Sequence, residues 1–234
     1  MSTLFPSAPN AGFPYYPLTL LLGIILSAVY WIRRSKNDPL IPLIYGAALA
    51  CAFLGAKLAY LLSEGWLVSA SDQRLLHWLT GKSVTGALLG GFLGVEGAKK
   101  LLGYRKATGD GFAAVVPLAL IVGRLGCLSH GCCRGIACSL GPLTHWPAVQ
   151  VEIAFNGLAF LLFFNFRRFG LLRGQHFHLY LIAYGLFRFG HEFLRATPKP
   201  FLGLSGYQLF ALALTFIGLL AFRRRQLHPP IAFA

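Results

Sequence analysis

Long apolar runs separated by short polar groups set the pattern of this chain. Seven runs read as helical membrane spans, at residues 17–32, 39–62, 83–98, 111–128, 149–165, 177–195 and 205–222. A helix needs about 17–25 predominantly apolar residues to cross a bilayer, and these runs meet or approach that length. The third is short and glycine-rich: Gly86, Gly90 and Gly94 are consecutive small-xxx-small steps, which let a neighbouring helix come close. Pro117 marks an expected kink in the fourth. The polar segment 63–82 carries Glu64, Asp72, Arg74 and His77, and its WLVSASDQRLLHWL stretch, with a tryptophan near each end, reads as a short interfacial helix. The pattern predicts an all-α polytopic membrane protein of one domain, residues 1–234. Residues 1–16 are uncharged and show no basic leader region, so the first apolar run is expected to be retained as a span.

Composition agrees: 56% of residues are hydrophobic and only 12% charged, against about 25% charged in soluble domains. The net charge of +14 does not point to nucleic acid, because the basic residues fall in short groups between apolar runs rather than on one soluble face. Their alternation sets an orientation. Thirteen Lys and Arg lie in four segments, Arg33/Arg34/Lys36, Lys99/Lys100/Arg105/Lys106, Arg167/Arg168/Arg173 and Arg223/Arg224/Arg225. The opposite side carries Arg74, Lys82, Arg134 and Lys199. The excess of basic residues in cytoplasmic segments places the N-terminus outside and the C-terminus in the cytoplasm.

Four cations remain inside the spans: Lys57, Arg124, Arg188 and Arg195. A charge at mid-bilayer costs roughly 2.5–3.5 kcal/mol on insertion scales and is functional by default. On this topology all four lie in the outer half of the bilayer, at the depth of Glu152 and Glu192. Tyr184, Arg188, Glu192 and Arg195 are spaced i, i+4, i+8 and i+11, which predicts one helical stripe bordered by His191. An Arg188–Glu192 pair and snorkelling of Lys57 and Arg195 account for these residues one at a time. Four cations at one level with two carboxylates point further, to an anion carrying a lipid tail, because guanidinium forks grip phosphate bidentately. With the charges at one leaflet and no inverted repeat visible, a transporter is disfavoured.

The stretch GRLGCLSHGCCRG, residues 123–135, follows the same depth. Its Cys132 and Cys133, with Cys138 and His130, are open to three readings: a metal site, a disulfide, or a thiol nucleophile. There is no Cys-x-x-Cys pair and adjacent cysteines chelate one zinc poorly, so no metal is expected; a bridge from Cys132 or Cys133 to Cys138 is the simplest structural reading. Cys51 reads as packing.

These residues together resemble the prolipoprotein diacylglyceryl transferases of bacterial inner membranes. GAKLAYLL at 55–62 resembles that family's Gly-Ala-Arg-x-x-Tyr element, and TGALLGG at 85–91 its His-Gly-Gly-x-x-Gly element. The stretch from Asp110 through GRLGCLSHGCCRG resembles a Gly-Arg-x-Gly-Asn-x-x-Asn-x-Glu-x-x-Gly signature. HLYLIAYGLFRFGHEFLR at 178–195 matches the Tyr-Gly-x-x-Arg-Phe-x-x-Glu-x-x-Arg signature at every named position, and LSGYQLFAL at 204–212 resembles the closing Ser-x-x-Gln element. The resemblance covers most of the chain from Tyr16 onward. It departs at Thr85, where the family has histidine, at Cys127, His130 and Cys132, where it has Asn, Asn and Glu, and at Lys57, where it has Arg.

The resemblance implies transfer of the diacylglyceryl group of phosphatidylglycerol to the thiol of a prolipoprotein lipobox cysteine, at the outer leaflet of the inner membrane, without cofactor or nucleic acid. Arg124 and Arg188 would bind the phosphate, with His130 or His191 in place of the missing histidine. Tyr16, Lys57, Tyr60, Thr85, Gly86, Tyr184, Glu192 and Arg195 would line the substrate. Asp110, Gly123, Gly126 and Gly135 would be structural. Two alternatives stay open: a divergent paralogue acting on a lipid phosphate with another acceptor, and a non-enzymatic cysteine or metal redox membrane protein.

Overall fold

A computed structural model describes residues 15–68, 74–131, 133, 135–140 and 143–227. The described chain is all-α apart from one short hairpin. Its helices are α1 (Tyr15–Arg34), α2 (Leu40–Ser63), α3 (Arg74–Thr80), α4 (Val84–Leu101), α5 (Gly109–His130), α6 (Ala148–Arg168), α7 (His176–His191) and α8 (Gly206–Leu227). Five stretches, Pro17–Arg34, Leu40–Ser63, Gly109–Ser129, Ala148–Arg168 and Gly206–Leu227, are long and apolar enough to cross a membrane. Of the other two runs read as spans, α4 carries Glu96, Lys99 and Lys100 in its last turns and α7 has only 16 residues.

The helices pack as neighbours in a closed bundle: α1 along α5, α5 along α6, α2 along α4 and α7 along α8, with α5 also meeting α7 and α8 meeting α2 and α4. Large side chains such as Leu21, Ile25, Leu158, Phe164 and Phe216 point outward, as a bundle in lipid requires. Inside, a file of rings runs Trp31, Phe112, Phe177, Tyr180, Tyr184, with successive centroids 4.5, 5.8, 6.1 and 5.8 Å apart. It leads from the foot of α1 to the buried arginines.

The glycine steps of α4 do what their spacing predicts. A methyl group on Gly86 would run into the Gly55 carbonyl, one on Gly90 into the Cys51 carbonyl, and one on Gly94 would come within 2.7 Å of the Ala47 oxygen. The backbones of α2 and α4 therefore touch, and only glycine fits between them. Helix α8 starts in a reciprocal capping box: the Ser205 amide donates to Gln208 Oε1 (2.8 Å) and the Gln208 amide to Ser205 Oγ (3.3 Å).

The two ends of the bundle differ. At one end Lys106 and Tyr104 reach Asp38 (3.2 and 3.0 Å), Asp110 accepts from the amides of Gly174 (2.7 Å) and His176 (3.3 Å), and Gln175 donates to the Phe222 carbonyl. Asp110 thus supplies a carboxylate to the amides at the start of α7 from another helix. At the opposite end the segment after α5 folds back on the segment after α7. There β1 (Ala137–Leu140) pairs antiparallel with β2 (Leu143–His145). The short interfacial helix expected at 66–79 is α3, which occupies its second half.

Gly90→Val should separate α2 from α4 and destabilise the protein by about 1–3 kcal/mol, while Gly97→Ala, whose new methyl meets nothing within 4 Å, should not. Thermal unfolding in detergent checks the pair; equal midpoints would refute the close-packing account.

Candidate active site

Glu152 stands one turn into α6 and is completely buried. Its Oε1 accepts from Arg124 Nη2 of α5 (2.7 Å) and from the Tyr184 hydroxyl of α7 (2.8 Å), and its Oε2 from Arg188 Nη1 of α7 (3.3 Å). Arg188 Nη2 lies 2.7 Å from Glu192 Oε2, so this arginine bridges both carboxylates. Glu192 Oε1 accepts from the Thr197 hydroxyl (2.6 Å), and Arg195 Nε lies 3.5 Å from Glu192 Oε2. The order is Arg124, Glu152, Arg188, Glu192, Arg195: three cations and two anions, all buried. A second chain supports it from below, where Tyr180 donates to Asn156 (2.7 Å) and Asn156 to the Glu152 carbonyl (2.8 Å).

The cluster carries one unbalanced positive charge. Its donors are also not used up: Arg124 Nε, Arg188 Nε and both Nε and Nη1 of Arg195 are buried without a hydrogen-bond partner among the described residues. Unpaired buried donors are costly, and several of them within one positive cluster suit an oxyanion.

Arg195 does not reach the cluster along a helical stripe, as its spacing predicted. Helix α7 ends at His191, Glu192–Leu194 is a single 3-10 turn, and Arg195 has extended backbone (φ −101°, ψ 147°). The turn is fixed by the Thr197–Glu192 hydrogen bond and by a bridge between Arg195 and Gly135, with the Ile136 amide donating to the Leu194 carbonyl (3.0 Å). Gly135 has to be glycine, because any side chain would strike the Trp146 carbonyl. Arg124 Nη1 lies 3.8 Å from Cys127 Sγ and 3.6 Å from Cys133 Sγ, on the same side.

The remaining expected residues divide by position. His191 is buried, its ring stacked on Phe187, and its Nε2 accepts from the Trp146 indole N–H (3.1 Å). That bond occupies the lone pair a proton acceptor needs. Lys57 is directed elsewhere: its ammonium donates to the carbonyls of Trp78, Leu79 and Gly81 and holds the C-terminal end of α3. Thr85 is buried, sharing a hydrogen bond with Ser83 (2.8 Å), and Gly86 is in the α2–α4 contact. Tyr60 is buried and packs against Gly81. Asp110 sits at the opposite end of the bundle, in the first turn of α5, where it accepts from the amides at the start of α7. Gly126 is buried and accepts from Ser129, while Gly123 faces Leu20 without crowding. Cys138 has a free thiol, so no bridge joins it to Cys133. No group of three or more His, Cys, Asp or Glu that would hold a metal occurs among the described residues. The Tyr16 and His130 side chains and Cys132 lie outside the described residues.

Two residues outrank their sequence signal. Glu152 was legible only as a carboxylate at the right depth, yet it is the centre of the cluster. Glu64, just after α2, read as part of a polar segment. Burial first, and then the charge of Glu192, push its carboxyl above the ordinary range; Tyr207 hydrogen-bonds it and the Arg195 charge reaches it. It follows Tyr60 by one turn at the end of α2 and feels the charges of the cluster.

The sequence profile of the prolipoprotein diacylglyceryl transferases matches residues 5–224. The chain belongs to this family. The phosphatidylglycerol–prolipoprotein diacylglyceryl transferase 2 of Clostridium perfringens is 27% identical over 236 residues, covering 87% of each chain. The phosphatidylglycerol–prolipoprotein diacylglyceryl transferase of Methylobacillus flagellatus is 31% identical over 191 residues, 74% of this chain and 69% of its own. The enzyme of that name from Thermotoga maritima is 27% identical over 247 residues, 94% of this chain and 84% of its own. No solved structure matches the chain.

Within this family member, Glu152→Gln should leave Arg124 without its carboxylate and Arg188 with Glu192 alone, and cost about 3–5 kcal/mol. Tyr184→Phe removes one of three donors and should cost about 2 kcal/mol. Unfolding midpoints in detergent rank the two; a harmless Glu152→Gln would mean the carboxylate does not organise the cluster.

Proposed function

We propose that this protein transfers the diacylglyceryl group of phosphatidylglycerol to the cysteine thiol of a prolipoprotein, at the outer leaflet of a bacterial inner membrane. The observation that carries the reading is the buried cluster of three arginines and two glutamates with unpaired guanidinium donors. The names of the relatives supply the substrates. A phosphodiester brings one negative charge, which balances the cluster. In the reaction the thiol sulfur bonds to the glycerol carbon, that carbon's bond to the phosphate oxygen breaks, and glycerol phosphate leaves as a monoester. The phosphate thus moves from one negative charge towards two. A preorganised positive site that excludes water favours that change. Arg124 and Arg188 hold the phosphate, with Arg195 adding its unpaired donors.

The thiol proton also needs an acceptor. Thr85 and His191 are poor ones for the reasons above, and Glu64 is the carboxyl beside the cluster whose affinity for a proton is raised. This reading takes the chain as one domain crossing the membrane seven times, with α4 and α7 as the two charged or short crossings. The segregated ends of the bundle support it: the basic connections meet at one end and the arginine cluster lies toward the other, as expected of a chain whose N-terminus is outside.

Purified protein in proteoliposomes with phosphatidylglycerol and a lipobox peptide should yield the diacylglyceryl peptide by mass spectrometry. Arg124→Ala and Arg188→Ala should each abolish it, and near-normal turnover in either variant would remove the phosphate-clamp argument. The base form of Glu64 is the ionised one, so transfer should rise with pH through a midpoint above the usual carboxylate range. Glu64→Gln should lose that limb and about 100-fold in rate; an unchanged pH profile would discard Glu64 as the acceptor.

A further inference from the structure

A cleft of about 1150 Å³ opens between α4 and α8 at the end of the bundle opposite the arginine cluster. Its rim holds Lys99, Lys100, Arg105, Arg224 and Arg225 against a single carboxylate, Glu96, which pairs with Lys99 at 3.2 Å. Its walls are apolar. Phe92 and Leu93 line it from α4, Ile217 and Leu220 from α8. Phe92 precedes Lys99, and Ile217 precedes Arg224, by two helical turns, so on both helices the apolar wall lies about 10 Å below the cationic rim. Gly97 keeps the α4 side open: a methyl group there would meet nothing within 4 Å.

A cationic mouth over an apolar slot of that depth matches an amphiphile. A water-soluble phosphate would satisfy the rim and leave the walls bare. Basic pockets between membrane helices favour anionic lipid headgroups in this way. We propose that the α4–α8 cleft is a second lipid site, holding one anionic phospholipid from the leaflet at the basic end. Its phosphate sits among Lys100, Arg105, Arg224 and Arg225, with an acyl chain against Phe92 and Ile217. This site is independent of the transfer reaction, since none of its residues touches the arginine cluster.

Native mass spectrometry of the full-length protein in detergent tests it, with phosphatidylserine as the probe. One phosphatidylserine should bind in preference to phosphatidylcholine. Its affinity should fall at least tenfold in the triple variant Arg105→Gln/Arg224→Gln/Arg225→Gln, and likewise in Gly97→Phe, which fills the cleft and leaves every charge in place. Arg188→Ala, at the other end, should bind normally. Unaltered binding in Gly97→Phe, equal binding of phosphatidylcholine, or displacement of the lipid by millimolar inorganic phosphate would each overturn the proposal. Loss of binding in Arg188→Ala alone would assign the lipid to the arginine cluster instead.

Discussion

A carboxylate buried away from water cannot stay ionised alone, and that constraint organises the upper half of this protein. Glu152 meets it by taking hydrogen bonds from Arg124, Tyr184 and Arg188, which come from two other helices. Each arginine is bound by the same rule in reverse, because an unpaired guanidinium at that depth is costly. The result is a mutual requirement: α5, α6 and α7 have to hold one relative height for any of the charges to be satisfied. Asn156 and Tyr180 extend that registration downward, and the aromatic file beneath them fills the space between helices without adding further polar groups.

The other half of the bundle is held by a different principle. Where α2 meets α4 there are no charges to align, and attraction between helices comes from closeness, which the glycines permit. This contact carries Thr85 and Gly86, the positions corresponding to the family's His-Gly-Gly element. With threonine buried against Ser83, the element is preserved as packing and not as a proton acceptor. Lys57 has likewise turned to the end of α3, leaving the arginine cluster to three guanidiniums. Glu64, which caps α2, feels the charges of Glu192 and Arg195 in the cluster.

The residues around Gly135 and Trp146 complete the site at the end of α7. Their contact with Arg195 depends on Gly135 being too small to strike Trp146, and Trp146 in turn holds His191. A single close backbone approach therefore orients one guanidinium and occupies one imidazole. That is the reason Arg195 points at the cluster although it lies beyond the end of its helix.

By itself the sequence determined what depends on local pattern: the apolar runs, the helical class and the glycine seam. Spacing of three or four residues fixes which face a side chain takes, so these features need no knowledge of the partner helix. The pairings within the cluster were of another kind. Glu152 lies 28, 32 and 36 residues from Arg124, Tyr184 and Arg188, and no periodicity links positions on separate helices. Only the packed bundle decided that Glu152 is the hub, that Arg188 is shared between two carboxylates and that Lys57 and His191 are spoken for elsewhere. The physical reason is that the charge on a buried group is settled by whatever neighbours the tertiary fold brings within about 3 Å of it, whereas the helix that carries it is settled by the residues next to it in the chain.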